Sequence, residues 1–156
     1  MKVVVDTNIL FSSFLSKNSR HRDVLFDETH EFYSPNFVFL EIFRHKEKIL
    51  KCAKESEEEV YGFLGKILKK INFVKEEVVS AENYEKADAL CKGKDESDVP
   101  FVALALEIDG YLLTGDEKLK KELKRKGLID FLLSHRAIKQ REGVILNESI
   151  HHHTSL

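Results

Sequence analysis

Val3-Val4-Val5-Asp6-Thr7-Asn8-Ile9-Leu10 is the stretch that decides how this chain is read. A β-branched run over residues 1–5 makes a short buried strand, and Asp6-Thr7-Asn8 stops it in a polar loop, after which residues 9–15 take up a helical pattern. The same alternation continues outward. Strand-like stretches recur at 31–33, 71–74, 111–113 and 128–131. Helical stretches lie at 20–28, from Pro35 to about residue 53, at 57–70, at 81–91, from a Ser97 or Asp98 cap to residue 107, and at 117–126. Ser34-Pro35 reads as an N-cap followed by proline at the first helical position. The stretch from 57 to 70 repeats Val60, Phe63, Leu64, Ile67, Leu68 and Ile71 along one face. Asp109-Gly110 makes a turn, and Gly127 ends the last helix. Strands alternating with helices, never in runs, give an α/β fold with a mostly parallel sheet of four to five strands.

The length of 156 residues suits one domain, expected over residues 1–150, with 151–156 as a flexible tail whose histidines are set aside from the site. No stretch approaches the roughly 18 apolar residues of a membrane span, and no secretory leader precedes the first strand, so the cytoplasm is the expected compartment. Cys52 and Cys91 stand far apart, which excludes a disulfide scaffold or zinc knuckle. With 25 basic against 27 acidic side chains, bulk charge alone does not hold nucleic acid; a locally basic groove stays open.

Four acids stand where surface acids are uncommon. Asp6 directly follows the first strand. Glu41 interrupts Phe37-Val38-Phe39-Leu40-Glu41-Ile42-Phe43, an otherwise wholly apolar run. Asp98 opens the apolar run 99–106, and Asp116 follows the strand at 111–113 through Thr114-Gly115. Each has a plainer reading: an Asx-turn for Asp6, N-caps for Asp98 and Asp116, a solvent-facing position for Glu41. Taken together they fall at the carboxyl ends of strands or at helix starts, the edge at which open parallel sheets form sites. Glu41, nearly two turns into its expected helix, looks back over that edge. Converging carboxylates raise one another's pKa values, and a hard divalent cation relieves the repulsion. Oxygen donors without His or Cys favour Mg²⁺ or Mn²⁺ over zinc.

These residues resemble the motifs of PIN-domain nucleases. Val3-Val4-Val5-Asp6-Thr7-Asn8-Ile9-Leu10 resembles the family's opening motif, and Phe39-Leu40-Glu41-Ile42 its helical acid. Asp98-Val99-Pro100-Phe101-Val102-Ala103-Leu104-Ala105 is similar to its third motif, and Leu112-Leu113-Thr114-Gly115-Asp116 to its fourth. The resemblance implies a three-layer α/β/α fold and hydrolysis of single-stranded RNA with Mg²⁺ or Mn²⁺. It places Asp6, Glu41, Asp98 and Asp116 as catalytic metal ligands, with Asp95 either at the rim or a solvated loop acid. Thr7 and Thr114 would orient Asp6 and Asp116 or serve as structural caps, and Asn8 would assist through its backbone or amide. Many family members are toxins held by a small antitoxin, others act in RNA processing, and PIN domains commonly pair as homodimers. For such a dimer Phe11, Phe14, Phe37, Phe39 and Phe43 are available, with core packing as their other use.

Two basic stretches follow candidate ligands: Lys118, Lys120, Lys121 and Lys124 after Asp116, and Arg44 and Lys48 after Glu41. They are either RNA phosphate contacts or ordinary solvated helix faces. Two other functions compete with the nuclease: a haloacid-dehalogenase-like phosphatase, whose mechanism wants an acid where Asn8 stands, and a non-catalytic RNA-binding or scaffold domain.

Overall fold

The computed structural model describes residues 1–15, 17, 19–93 and 95–126. Among these, four strands form the sheet: β1 (Lys2–Val5), β2 (Glu31–Pro35), β3 (Ile71–Val74) and β4 (Tyr111–Leu113). Their order is β3-β2-β1-β4 and every pairing is parallel. Central β1 pairs Val3 with Phe32 on one side and with Tyr111 on the other. Val3, Val4 and Val5 are completely buried, as a strand covered on both faces requires. Gly110 sits where β4 draws alongside β1: a Cβ there would lie 3.0 Å from the Lys2 carbonyl oxygen, a contact that any side chain would strain.

Helices α1 (Thr7–Leu15) and α2 (Arg20–Leu25) connect β1 to β2. From β2 to β3 run α3 (Phe37–Arg44), α4 (Lys46–Cys52) and α5 (Glu57–Lys70). From β3 to β4 run α6 (Ala81–Cys91) and α7 (Val99–Glu107), and α8 (Glu117–Arg125) follows β4. Helix α1 packs with α2, α4 and α5, whereas α7 lies against β1, β2 and β4 with α6 on it. This is a three-layer α/β/α arrangement. Its connections step outward from β1 through β2 to β3, then return to the other side of β1. Because crossovers keep one hand, that reversal sends the helices to opposite faces and makes the carboxyl ends of β1 and β4 the switch point of the sheet.

Several expectations need correction. Pro35 ends β2, opposite Val74, instead of opening a helix, and Ser34 does not cap one. The Ser34 hydroxyl donates to the Val5 carbonyl at 3.0 Å, prolonging the contact of β2 with β1 beyond their ladder. Pairing with β3 thus outweighs the local helix-start signal. The helix expected to run to about residue 53 is broken at His45, whose backbone leaves helical geometry, so that α4 packs on α1 with His45 edge-on to Phe11. Glu41 accordingly stands about one turn into α3, not two. Helix α1 begins earlier than expected, at Thr7, and α2 ends earlier, at Leu25. Residues 127–150, with the expected strand at 128–131, and the tail 151–156 lie outside the described residues. Phe14 is buried in the core, edge-on to Phe63 at 5.2 Å, while Leu40 and Phe43 on α3 remain 51% exposed. No helix among the described residues is long and apolar enough to cross a membrane.

Candidate functional site

Asp6 ends β1 and begins α1. Its backbone N–H donates to the Leu113 carbonyl of β4 at 3.2 Å, its Oδ1 accepts the Ile9 N–H at 2.9 Å, and its Oδ2 accepts the hydroxyl of Thr114. The residue is 5% exposed. Burial pushes its carboxyl above the usual range, donors from Thr114, Ile9 and Gly115 pull it back, and the charge of Asp116 adds to the rise. Thr114 in turn accepts the Asp116 N–H at 3.0 Å, and Asp116 Oδ1 caps α8 by accepting the Leu119 N–H at 3.0 Å. One buried hydroxyl therefore ties together the acids that follow β1 and β4.

Asp98 occupies the N-cap position of α7 and makes no capping bond there; its own backbone is helical. Its Oδ2 is buried without a hydrogen-bond partner. Burial first, then hydrogen bonding of its protonated form to Asp116 and the charge of that residue, and finally the charges of Asp95 and Asp6, push Asp98 up to about 7. Glu41 is held at the surface by Arg44 at 3.4 Å and by His45 Nε2 at 3.3 Å. Asp95 is exposed and caps the following turn through the Ser97 N–H at 3.0 Å, which holds its carboxyl below the usual range.

Asp6, Thr7, Asn8, Glu41 and Asp98 share the wall of one open cavity of about 320 Å³. Asp116 is not part of that wall and meets the site through Asp98 and Asp6. Among the described residues the rest of the wall is Ser97, Phe37 and Phe101, outside the set of acids and polar groups that the sequence points to. Helical spacing carries the missing signal: Phe37 stands four residues before Glu41 on α3, and Phe101 three residues after Asp98, so each helix shows an acid and an aromatic on one face. The two rings meet edge to face at 5.7 Å.

The basic residues are scattered by comparison. Lys118, Lys121, Lys124 and Lys48 are exposed, Lys120 pairs with Glu117 at 2.9 Å, and among the described residues no lysine lines the cavity. Among the described residues no three His, Cys, Asp or Glu side chains already surround a common point. The donor set nevertheless fits a hard divalent cation: its acids are oxygen donors, and Asp98 Oδ2 is a buried acceptor with nothing to accept from. Phospho-aspartate chemistry fits poorly, because Asn8, not an acid, stands two residues after Asp6.

A family model described as PIN domain matches residues 4–129 of the chain. The fold is similar to that of a chain in the crystal structure of VapBC2 from Rickettsia felis bound to a DNA fragment from its promoter. The TM-score is 0.60 at 17% identity, over 86% of this chain and 98% of that one, a likeness of fold. No curated protein matches the chain.

Proposed function

The chain belongs to the PIN-domain family of nucleases, and from that premise we propose that it is a divalent-metal-dependent endoribonuclease that hydrolyses single-stranded RNA. The observation that carries the reading is Asp98: a half-buried carboxyl pushed up to about 7, with one oxygen unpartnered, beside Asp116 and Asp6 at the switch point of a parallel sheet. A folded protein keeps such a group at a cost in stability, and a bound cation is the ordinary compensation.

Asp6, Asp98 and Asp116, with Glu41 across the cavity, would hold Mg²⁺ or Mn²⁺, which supplies Lewis acidity and neutralises charge at the phosphodiester. The protein's own part is orientation. Thr114 and the Ile9 N–H fix both oxygens of Asp6, and the Leu119 N–H fixes Oδ1 of Asp116, whose carboxylate stands beside Asp98. Asn8, exposed on the cavity wall, offers an amide donor and acceptor to the backbone or sugar of a bound strand. Glu41 lines the cavity while paired with Arg44 and His45, which sets the Arg44 guanidinium beside the site, where it would meet a phosphate of the bound strand. Lys118, Lys121 and Lys124 extend the electrostatic approach without touching the cavity.

Kinship of fold with VapBC2, a complex crystallised on promoter DNA, supports a toxin role with a small antitoxin partner. The exposed Leu40 and Phe43 support a homodimer, and the chain is expected to act in the cytoplasm. The test is cleavage of single-stranded RNA by the purified chain in Mn²⁺. Activity abolished by EDTA and by Asp6→Asn, with 5′-phosphate product ends, supports the proposal; undiminished cleavage by Asp6→Asn in EDTA overturns it.

A further inference from the structure

We infer that the acid-lined cavity seats one unpaired nucleobase against Phe37, so that the enzyme selects strands in which the base beside the scissile phosphate is splayed out; this rests on the nuclease reading above. The cavity has two chemically different parts. Glu41, Asp98 and Asp6 form one, suited to a cation-bridged phosphate, and the rings of Phe37 and Phe101 form the other. Phosphate chemistry alone has no use for an aromatic wall, whereas a nucleotide presents a charged phosphate and a flat π-face within one residue.

The helices fix this pairing. Phe37 and Glu41 lie one turn apart on α3, and Asp98 and Phe101 one turn apart on α7. Phe101 is buried and anchors the pair by its edge-to-face contact at 5.7 Å, while Phe37 is only partly covered and keeps ring surface toward the opening. Val38 and Ile42 of α3 are fully or almost fully buried, so the helix that carries Phe37 is anchored in the core. A volume of about 320 Å³ lies at the small end of the range for sites that take small ligands, enough for one base. A base within a duplex has its faces covered by its neighbours and must be flipped out to reach such a wall.

The test is equilibrium binding by fluorescence anisotropy, in Ca²⁺, of the full chain to a labelled octamer of riboadenylate and to an abasic ribose-phosphate octamer. Stacking is lost on truncation to alanine, so Phe37→Ala should weaken binding of the base-bearing strand roughly 5- to 20-fold and leave the abasic strand unchanged. Phe37→Leu, which keeps apolar packing against Phe101, should behave like the alanine variant, and Phe37→Tyr should restore affinity. Equal binding by wild type and both truncations overturns the inference, as does an equal loss on both strands, which marks a merely structural role. Wild type that binds neither strand and cleaves nothing in Mn²⁺ overturns the nuclease reading itself. Wild type that cleaves RNA while Phe37→Leu keeps the full wild-type preference for the base-bearing strand overturns the inference alone.

Discussion

Replacing Asp98 by asparagine should stabilise the metal-free protein while destroying its capacity to gain stability from a divalent cation. The carboxyl rises from an ordinary 3.8 to about 7 on folding. For a wholly shielded group that difference corresponds to about 4 kcal/mol, and the partial exposure of Asp98 reduces it to roughly 1–2 kcal/mol. The sign follows from proton linkage. An acid with a raised folded pKa binds more protons folded than unfolded between about pH 4 and 7, so wild-type stability falls across that window and levels off above it. The asparagine side chain carries no charge to be disfavoured, and its amide reproduces the hydrogen bond that the protonated acid makes to Asp116. The two proteins should therefore melt alike near pH 4 and diverge steadily to about pH 7. At pH 8 in EDTA the variant should lead by roughly 2–8 °C, at about 2–4 °C per kcal/mol for a chain of this size. Saturating Mn²⁺ should reverse the order, because a ligand at a hundred times its Kd adds about 2.7 kcal/mol to the wild type alone. Thermal melts followed by circular dichroism, from pH 4 to 8 with and without metal, measure all of this. A variant less stable than wild type in EDTA at pH 8, or a gap that ignores pH, refutes the reasoning.

Thr114→Val removes the hydroxyl that serves Asp6 and Asp116 while keeping its shape; it should cost about 1–3 kcal/mol and weaken Mn²⁺ binding about 10- to 100-fold by calorimetry, with Thr114→Ser close to wild type. Arg22→Met breaks a pair with Glu55 at 2.7 Å between side chains only 10% and 4% exposed, and removes a guanidinium that also covers Phe63 at 3.8 Å. It should cost about 3–5 kcal/mol in a denaturant titration, recovered in large part by the double variant Arg22→Met/Glu55→Leu, with specific activity unchanged at low temperature. Charge reversal at Lys121 and Lys124 should flatten the dependence of log K on log salt by about 1.4 if both meet phosphates of a single strand; an unchanged slope removes α8 from the RNA path.

The fold was readable wherever local pattern and tertiary demand agree. Helices α5 and α6 and strands β3 and β4 form over the residues that periodicity marks. The reading failed at Ser34-Pro35, where a strong helix-start signal yields to a strand partner nearly forty residues away in sequence. It failed again at His45, because Phe43-Arg44-His45-Lys46 contains neither glycine nor proline and the break is set by packing of α4 on α1. Within the site, Phe37 and Phe101 were invisible for a related reason. In a helix as apolar as α3 or α7 every phenylalanine reads as core, and Phe101 largely is; only the acid one turn away shows which ring reaches the cavity.

For the acids, the choice between cap and ligand proves to be a false one. In a parallel α/β sheet the residue that ends a strand often also starts a helix, so a carboxylate placed there to cap the helix is carried to the edge where a ligand binds. Asp6 and Asp116 both cap at that edge: each spends one oxygen on a backbone N–H of its own helix. Capping therefore counts neither for nor against a role in chemistry. What discriminates is an acid at a cap position that does not cap. Asp98 forgoes the bond its place offers, keeps an oxygen buried without a donor, and faces Asp116. Serine or asparagine would fill this N-cap without a half-buried charge, so the aspartate that stands there supports the proposed metal site and not the local fold.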